Sequence, residues 1–245
     1  MQFHRNSVIV RTATRLIAVA AVLFLLPSAL ARAADDPDTE RITASGNVFR
    51  ELLNASSGIP RGLLNKADCV IILPGVVKGG FIVGGQYGKG VMSCRSGAHF
   101  NGKWSAPIMM QSSGGSFGLQ AGGQSTDFVV LVMNEGGARA VLNGKAKLGA
   151  DASVAAGPVG RDAEASTNAS MSAQMLSYSR TKGVFAGVSL SGTSLGPDSG
   201  ANEKVYGKKV SGPDIFGGTV KAPPEASGLL ASLTSASPPS AHPKN

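Results

Sequence analysis

Three histidines, two cysteines and a thin scatter of carboxylates are what this chain offers for metal ligation and for histidine- or carboxylate-based acid–base chemistry. His4 and His242 lie near the chain ends, which leaves His99 in Ser96-Gly97-Ala98-His99-Phe100-Asn101-Gly102, a stretch that reads as an exposed hairpin turn. One histidine and two cysteines cannot assemble an ordinary structural zinc site, so no metal is expected. Asp127 precedes the apolar run Phe128–Met133, where accepting hydrogen bonds from a turn competes with a general-base role. Asp162 and Glu164 form a close acidic pair in what reads as a solvated loop. The glycine run Gly84-Gly85-Gln86-Tyr87-Gly88-Lys89-Gly90 invites a phosphate-loop reading that its spacing refuses. That motif needs glycine at 83 and Ser or Thr at 90, where Val83 and Gly90 stand. A dinucleotide fingerprint should open a helix, whereas this run leads into strand-like Val91-Met92-Ser93-Cys94. No cofactor and no catalysis are expected.

Charge directs attention to anionic surfaces. The formal net charge is +8, yet Arg5, Arg11, Arg15 and Arg32 fall in residues 1–33 with no acidic residue beside them. Arg5, Arg11 and Arg15 precede the apolar run Leu16–Leu26, and Pro27 and Ala31-Arg32-Ala33 follow it. This is the layout of a secretory signal peptide; an uncleaved membrane anchor is the alternative. Without those residues, 19 basic and 15 acidic residues remain, a net +4. The protein is thus expected to be exported, periplasmic or extracellular, and peripherally membrane-associated. Basic residues are spaced singly and aromatics make up only 5% of the chain, which speaks against nucleic acid as a partner. Cys69 and Cys94 fit one disulfide in an oxidising compartment, with two buried thiols as the alternative.

The elements that would position these groups are mostly strands. Thirty-three glycines without a collagen period point to tight turns, bulges and close backbone contacts. Ile42, Phe49, Leu52 and Leu53 recur at helical spacing after a cap at Asp38 or Thr39, and Pro60 opens a second short helix. Cys69–Leu73 reads as a buried strand stopped by Pro74-Gly75, and Gly79–Arg95 as two adjacent glycine-rich strands. Trp104–Gln111 and Ser116–Gln124 read as strands around a turn at Ser112–Gly115, with Phe128–Met133 as a central strand. Asn134-Glu135 should start a helix ended by Asn143-Gly144. Tyr178–Arg180 and Val184–Ser191 continue the sheet, and Asn202–Tyr206 and Gly212–Phe216 are short helices. The fold class expected is α+β: a predominantly antiparallel, glycine-rich sheet, sandwich or barrel-like, with an N-terminal helix and a few short helices. Residues 34–218 form the domain, and 219–245 read as a flexible Pro/Ser/Ala-rich tail with one candidate helical turn at Gly228–Leu233.

Several blocks in order carry a family resemblance: Ala67–Pro74, Lys78–Phe81, Gly84–Gly90, Trp104–Pro107, Gly118–Asp127, Gly149–Gly160, Tyr178–Val188 and Tyr206-Gly207. Over nearly all of residues 40–218 the chain resembles a SYLF domain. The resemblance implies a lipid-binding module; eukaryotic relatives bind phosphoinositides, and some act on actin beside an SH3 domain. For this chain it implies an anionic phospholipid surface as partner, with an envelope protein docked without catalysis as the alternative. Lys78, Lys89, Arg95, Lys103, Arg180 and Lys182 fall at strand ends or turns and are the expected headgroup ligands. Ile42, Phe49, Leu52 and Leu53 match the family's amphipathic helix, a face that either meets membrane or covers the sheet.

Overall fold

The structure, a computed structural model, describes residues 36–55, 58–80, 83–97, 99–117, 124–144, 146–148, 154–159, 173–181, 184–188, 190 and 192–239. The signal-like segment, Lys182 and the Asp162/Glu164 pair lie outside them. Two helices lead into the sheet, α1 (Pro37–Asn54) and α2 (Arg61–Lys66). The strands are β1 (Cys69–Gly80), β2 (Val83–Cys94), β3 (Ile108–Phe117), β4 (Gln124–Val132), β5 (Ala146–Leu148), β6 (Val154–Ala156), β7 (Met175–Thr181), β8 (Val184–Gly187) and β9 (Thr193–Pro197). Helix α3 (Glu135–Leu142) follows β4, and α4 (Ser199–Tyr206), α5 (Gly212–Phe216) and α6 (Ser227–Ala236) close the chain.

All the strands join one sheet in the order β5-β9-β3-β2-β1-β4-β7-β6, with β8 also on β7. Pairing is antiparallel except between β6 and β7. Strand alternation sorts the core into two layers. Ile71, Leu73, Met92, Ile108, Met110, Phe128 and Val130 face one way, and they share a cluster with Leu148 and Leu195 from one edge and Met175 from near the other. Side chains from both edges meet because the sheet curls almost into a barrel around them. Val70, Ile72, Val91, Met109, Val129, Leu131 and Tyr178 face outward and are covered by α1, α2 and α6.

Three strand and tail boundaries differ from the sequence expectation. Pro74-Gly75 does not stop β1. The pairing register of β1 slips by one residue there against both β2 and β4, and Gly75 adopts φ +59°. The extra residue is a β-bulge, which proline tolerates because a bulge needs no ladder donor. Ser112–Gly115 is not a turn either: these residues pair with Gly85–Gly88 inside β3. Serine and glycine mark turns in isolation, but long neighbouring strands impose the extended form. Finally, the expected flexible tail is folded as far as α6. Ala226, Leu229, Leu233 and Ala236 recur at three- and four-residue spacing and are buried beside α1.

Other expectations hold. Asn134 caps α3 by accepting the Gly137 N–H at 2.9 Å, and Gly144 ends it at φ +65°. Cys69 and Cys94 are direct cross-strand partners and form a disulfide. Close approach explains one glycine in particular: a Cβ on Gly90 would lie 1.9 Å from the Ile72 carbonyl oxygen.

Two stability changes follow. Leu233→Ala should lower the unfolding free energy by about 2–4 kcal/mol in urea denaturation, whereas a loose tail would leave it unchanged. Replacing both cysteines by alanine should cost about 3 kcal/mol in the same assay, since the bond closes a 25-residue separation.

Candidate functional site

Of the six expected headgroup cations, the five among the described residues do not gather at one end of the sheet. Lys78 lies at the bulge-distal end of β1, paired with Gln86 and Gln124. Arg95 and Lys103 lie beyond the disulfide at the opposite end, with Arg95 bridged to Trp104. Nine residues of strand separate Lys78 from Cys69, roughly 30 Å at ordinary rise. An electrostatic rim built from all six is therefore corrected by the register itself.

Arg95 is also corrected in kind. Its side chain is fully buried, at 0% exposure, with the guanidinium 4.5 Å over the Trp104 ring. Its Nε donates to Ala67 O at 3.4 Å, and Nη2 donates to Ser237 O at 3.2 Å and to Ser237 Oγ. Trp104 Nε1 donates to the same Ser237 carbonyl at 3.0 Å. Burial pulls the guanidinium below its usual value against the opposing pull of Asp68. Arg95 thus fastens the end of α6, a favourable place for a cation beside carbonyl oxygens, and cannot reach a headgroup.

Arg180 and Lys89 are exposed only in part and already paired. Arg180 binds Asp127 at 2.7 Å and also contacts Glu51 of α1, with its guanidinium 5.8 Å from the Phe185 ring. Asp127 accepts the Gly75 N–H at 2.8 Å, so it holds the bulge, as a turn acceptor should. Lys89 binds Asp198 at 2.8 Å. Lys78 lies 5.1 Å from the Phe128 ring, and Lys103 is exposed in the turn between β2 and β3. His99 is exposed in the same turn. Among the described residues no group of His, Cys, Asp and Glu could hold a metal ion.

The apolar face of α1 covers the sheet. Ile42, Phe49 and Leu52 are buried in the outward core layer, and Leu53 packs against it. Of the two readings of this face, the structure adopts the packed one. Among the described residues no helix is long and apolar enough to cross a membrane.

Two features of the same region escaped the sequence reading. Val77 and Tyr87 are direct cross-strand partners, 54% and 50% exposed, just past the bulge. Val184, at 63%, pairs with Thr181, next to Arg180, whose partner is Asp127; it therefore belongs to the same end of the sheet. Beside Val77 and Tyr87 opens a groove of about 420 Å³, between the first turns of α1 (Pro37, Glu40, Arg41, Ala44) and the strand residues Pro74, Gly75, Val77, Tyr87, Gly88 and Lys89. Ion pairs knit its floor. Arg41 binds Asp38 at 2.6 Å and lies 3.8 Å from Asp198, and Lys204 lies 3.8 Å from Asp38. Asp198 also caps α4 through the Ala201 N–H at 3.1 Å. The alternation of β1 and β2 could have exposed the Val77–Tyr87 pair had the bulge been recognised. No local signal marks Asp198, which lies more than a hundred residues away from Lys89.

Residues 113–236 match the Ysc84 family model, described as a Las17-binding protein actin regulator. The chain belongs to the Ysc84/SYLF family. It is 37% identical over 189 residues to the SH3 domain-containing protein PJ696.02 of Schizosaccharomyces pombe, covering 76% of this chain and 43% of that protein. Protein YSC84 of Saccharomyces cerevisiae is 37% identical over 188 residues, covering 76% and 39%. SH3 domain-containing YSC84-like protein 1 of Homo sapiens is 33% identical over 178 residues, covering 72% and 51%. The chain therefore spans about half or less of these relatives' length. No solved structure matches.

The ion-pair floor has a signed pH signature. Burial pushes the Asp198 carboxyl up, but the Lys89 hydrogen bond, the Ala201 N–H and the charges of Lys89 and Arg41 outweigh it, and the group sits below the usual carboxylate range. Its stabilisation is complete above the unfolded value near ~4 and is lost as pH falls through the lower folded value. Asp198→Asn should therefore lower the urea midpoint at pH 7 and shrink its fall on acidification relative to the parent.

Proposed function

We propose that this protein is an exported, non-enzymatic peripheral membrane protein that binds anionic phospholipid headgroups, and that it meets the bilayer with the glycine-rich end of its sheet. The observation that carries this reading is the exposed Val77–Tyr87 pair on adjacent strands, with Val184 at the same end. Tyrosine suits the headgroup level, where its ring meets apolar matter and its hydroxyl stays wet. Lys78 follows Val77 directly, and Lys182 precedes Val184 by two positions, so the apolar residues have cations beside them in the chain. The remaining positive charge favours an acidic leaflet by about 1 kcal/mol for each lysine or arginine near the surface. The helix-insertion alternative is disfavoured because α1 would have to abandon both its core contacts and its ion pairs.

A second reading draws on the relatives. The family model is described as Las17-binding, and LAS seventeen-binding protein 3 of Saccharomyces cerevisiae is 34% identical over 198 residues. For this chain the corresponding role is an envelope protein docked on the same exposed end. Capture of one defined protein from envelope extract, indifferent to lipid composition, would favour it.

Sedimentation with liposomes separates the two. The protein should pellet with anionic vesicles, should remain largely in the supernatant with neutral ones, and should release as salt rises. Val77→Asp combined with Tyr87→Asp should abolish pelleting while leaving the urea midpoint nearly unchanged. Equal pelleting by both vesicle types, or none at all, would end the lipid reading.

A further inference from the structure

The groove beside Val77 and Tyr87 is built for more than a diffuse charged surface. Its volume of about 420 Å³ is that of a small-molecule site, and its lining is apolar in part, with Pro37 and Ala44 from α1 and Val77 and Tyr87 from the strands. Two cations, Arg41 from α1 and Lys89 from β2, share that lining. Arg41 Nη2 donates to Asp38, and Nη1 is buried 3.8 Å from an Asp198 carboxylate oxygen. Lys89 has three N–H donors and spends one on Asp198, with about a third of its side chain exposed. A phosphate oxygen is the acceptor that two such cations recognise best.

Charge balance narrows the class further. Arg41 and Lys89 line the groove, while their partners Asp38 and Asp198, and Lys204 beside Asp38, do not; together the five groups carry one positive charge in excess. Glu40, exposed on the groove's lip, supplies one negative charge. A lining that holds two cations and one carboxylate complements a zwitterion rather than a simple anion. The Tyr87 ring beside it adds an attractive face for an ammonium group.

We propose that this groove binds the headgroup of a single amine-bearing phosphodiester lipid, its phosphate on Arg41 and Lys89, its ammonium toward Glu40 and its glycerol end along Val77 and Tyr87. The proposal rests on the lipid-binding reading and deepens it. The charged leaflet recruits the protein, and the groove then selects one headgroup chemistry.

Calorimetric titration of the full folded chain with monomeric short-chain lipids tests this apart from vesicle recruitment. Dihexanoyl phosphatidylethanolamine should bind with one-to-one stoichiometry, about three- to fivefold tighter than dihexanoyl phosphatidylglycerol. Glu40→Gln, an exposed change, should erase that preference, and Lys89→Gln should weaken both lipids about tenfold. Glycerophosphoethanolamine, lacking acyl chains, should bind more weakly, and inorganic phosphate more weakly still. Equal or tighter binding of phosphatidylglycerol overturns the amine assignment. Phosphate binding as tightly as the lipid, or Lys89→Gln without effect, overturns the site. Pelleting with anionic vesicles but no response to any monomeric lipid would sink the groove alone, whereas loss of both would sink the broader reading.

Discussion

The docking of α1 on the outer face of the curled sheet is the contact from which the rest of the molecule takes its meaning. Ile42, Val48, Phe49 and Leu52 are buried there, and each contributes about 1.5–3 kcal/mol relative to exposure. Ion pairs fasten the helix at two places, Arg41 with Asp198 near its start and Glu51 with Arg180 near its end. A bilayer offers the apolar stripe about the same transfer energy that the sheet already supplies. Undocking would gain nothing there, while it would break the ion pairs and bare Val70, Ile72 and Val129. Docked α1 also engages Arg180 through Glu51, while Lys89 gives one donor to Asp198 at the cap of α4. Past the bulge Val77 and Tyr87 stay exposed at the edge of the groove that α1 lines, and they are the surface proposed to meet the membrane.

Arg95 shows the same economy at the other end. A cation at the end of β2 looks like a surface ligand in sequence, yet Trp104, Ala67 and Ser237 enclose it. It is held where it meets the carbonyls at the end of α6, and α6 in turn covers α1. The sheet, α1 and α6 are thus one layered unit. The bulge at Pro74-Gly75 sets the opposite end, because one extra residue turns Val76 inward and Val77 outward.

Much of this was legible in the chain. The short β-branched run Cys69–Leu73 predicted a buried strand and the apolar run Phe128–Met133 a central one, and Asn134 with Gly144 bounded α3 by local chemistry alone. The number and placement of Cys69 and Cys94 allowed either a disulfide or two buried thiols, and the structure forms the disulfide. The failures share a physical cause. Ser112–Gly115 and Pro74-Gly75 have turn composition, and only long partner strands make them extended. The tail's composition hid the Ala226–Ala236 stripe because small residues carry little hydrophobic signal until a partner helix lies against them. The partners of Arg95, Arg180 and Lys89 lie far away in sequence, so no spacing rule could tell bound cations from free ones.

Hydrogen–deuterium exchange on the full chain, with and without anionic vesicles, tests the central claim most directly. Amides of Val77 and the Gln86–Gly88 segment should slow on vesicles, while those of α1 keep their solution rates. Faster exchange along α1 with unchanged rates in the strands would contradict it, since that pattern is what a helix leaving the sheet for the bilayer would give.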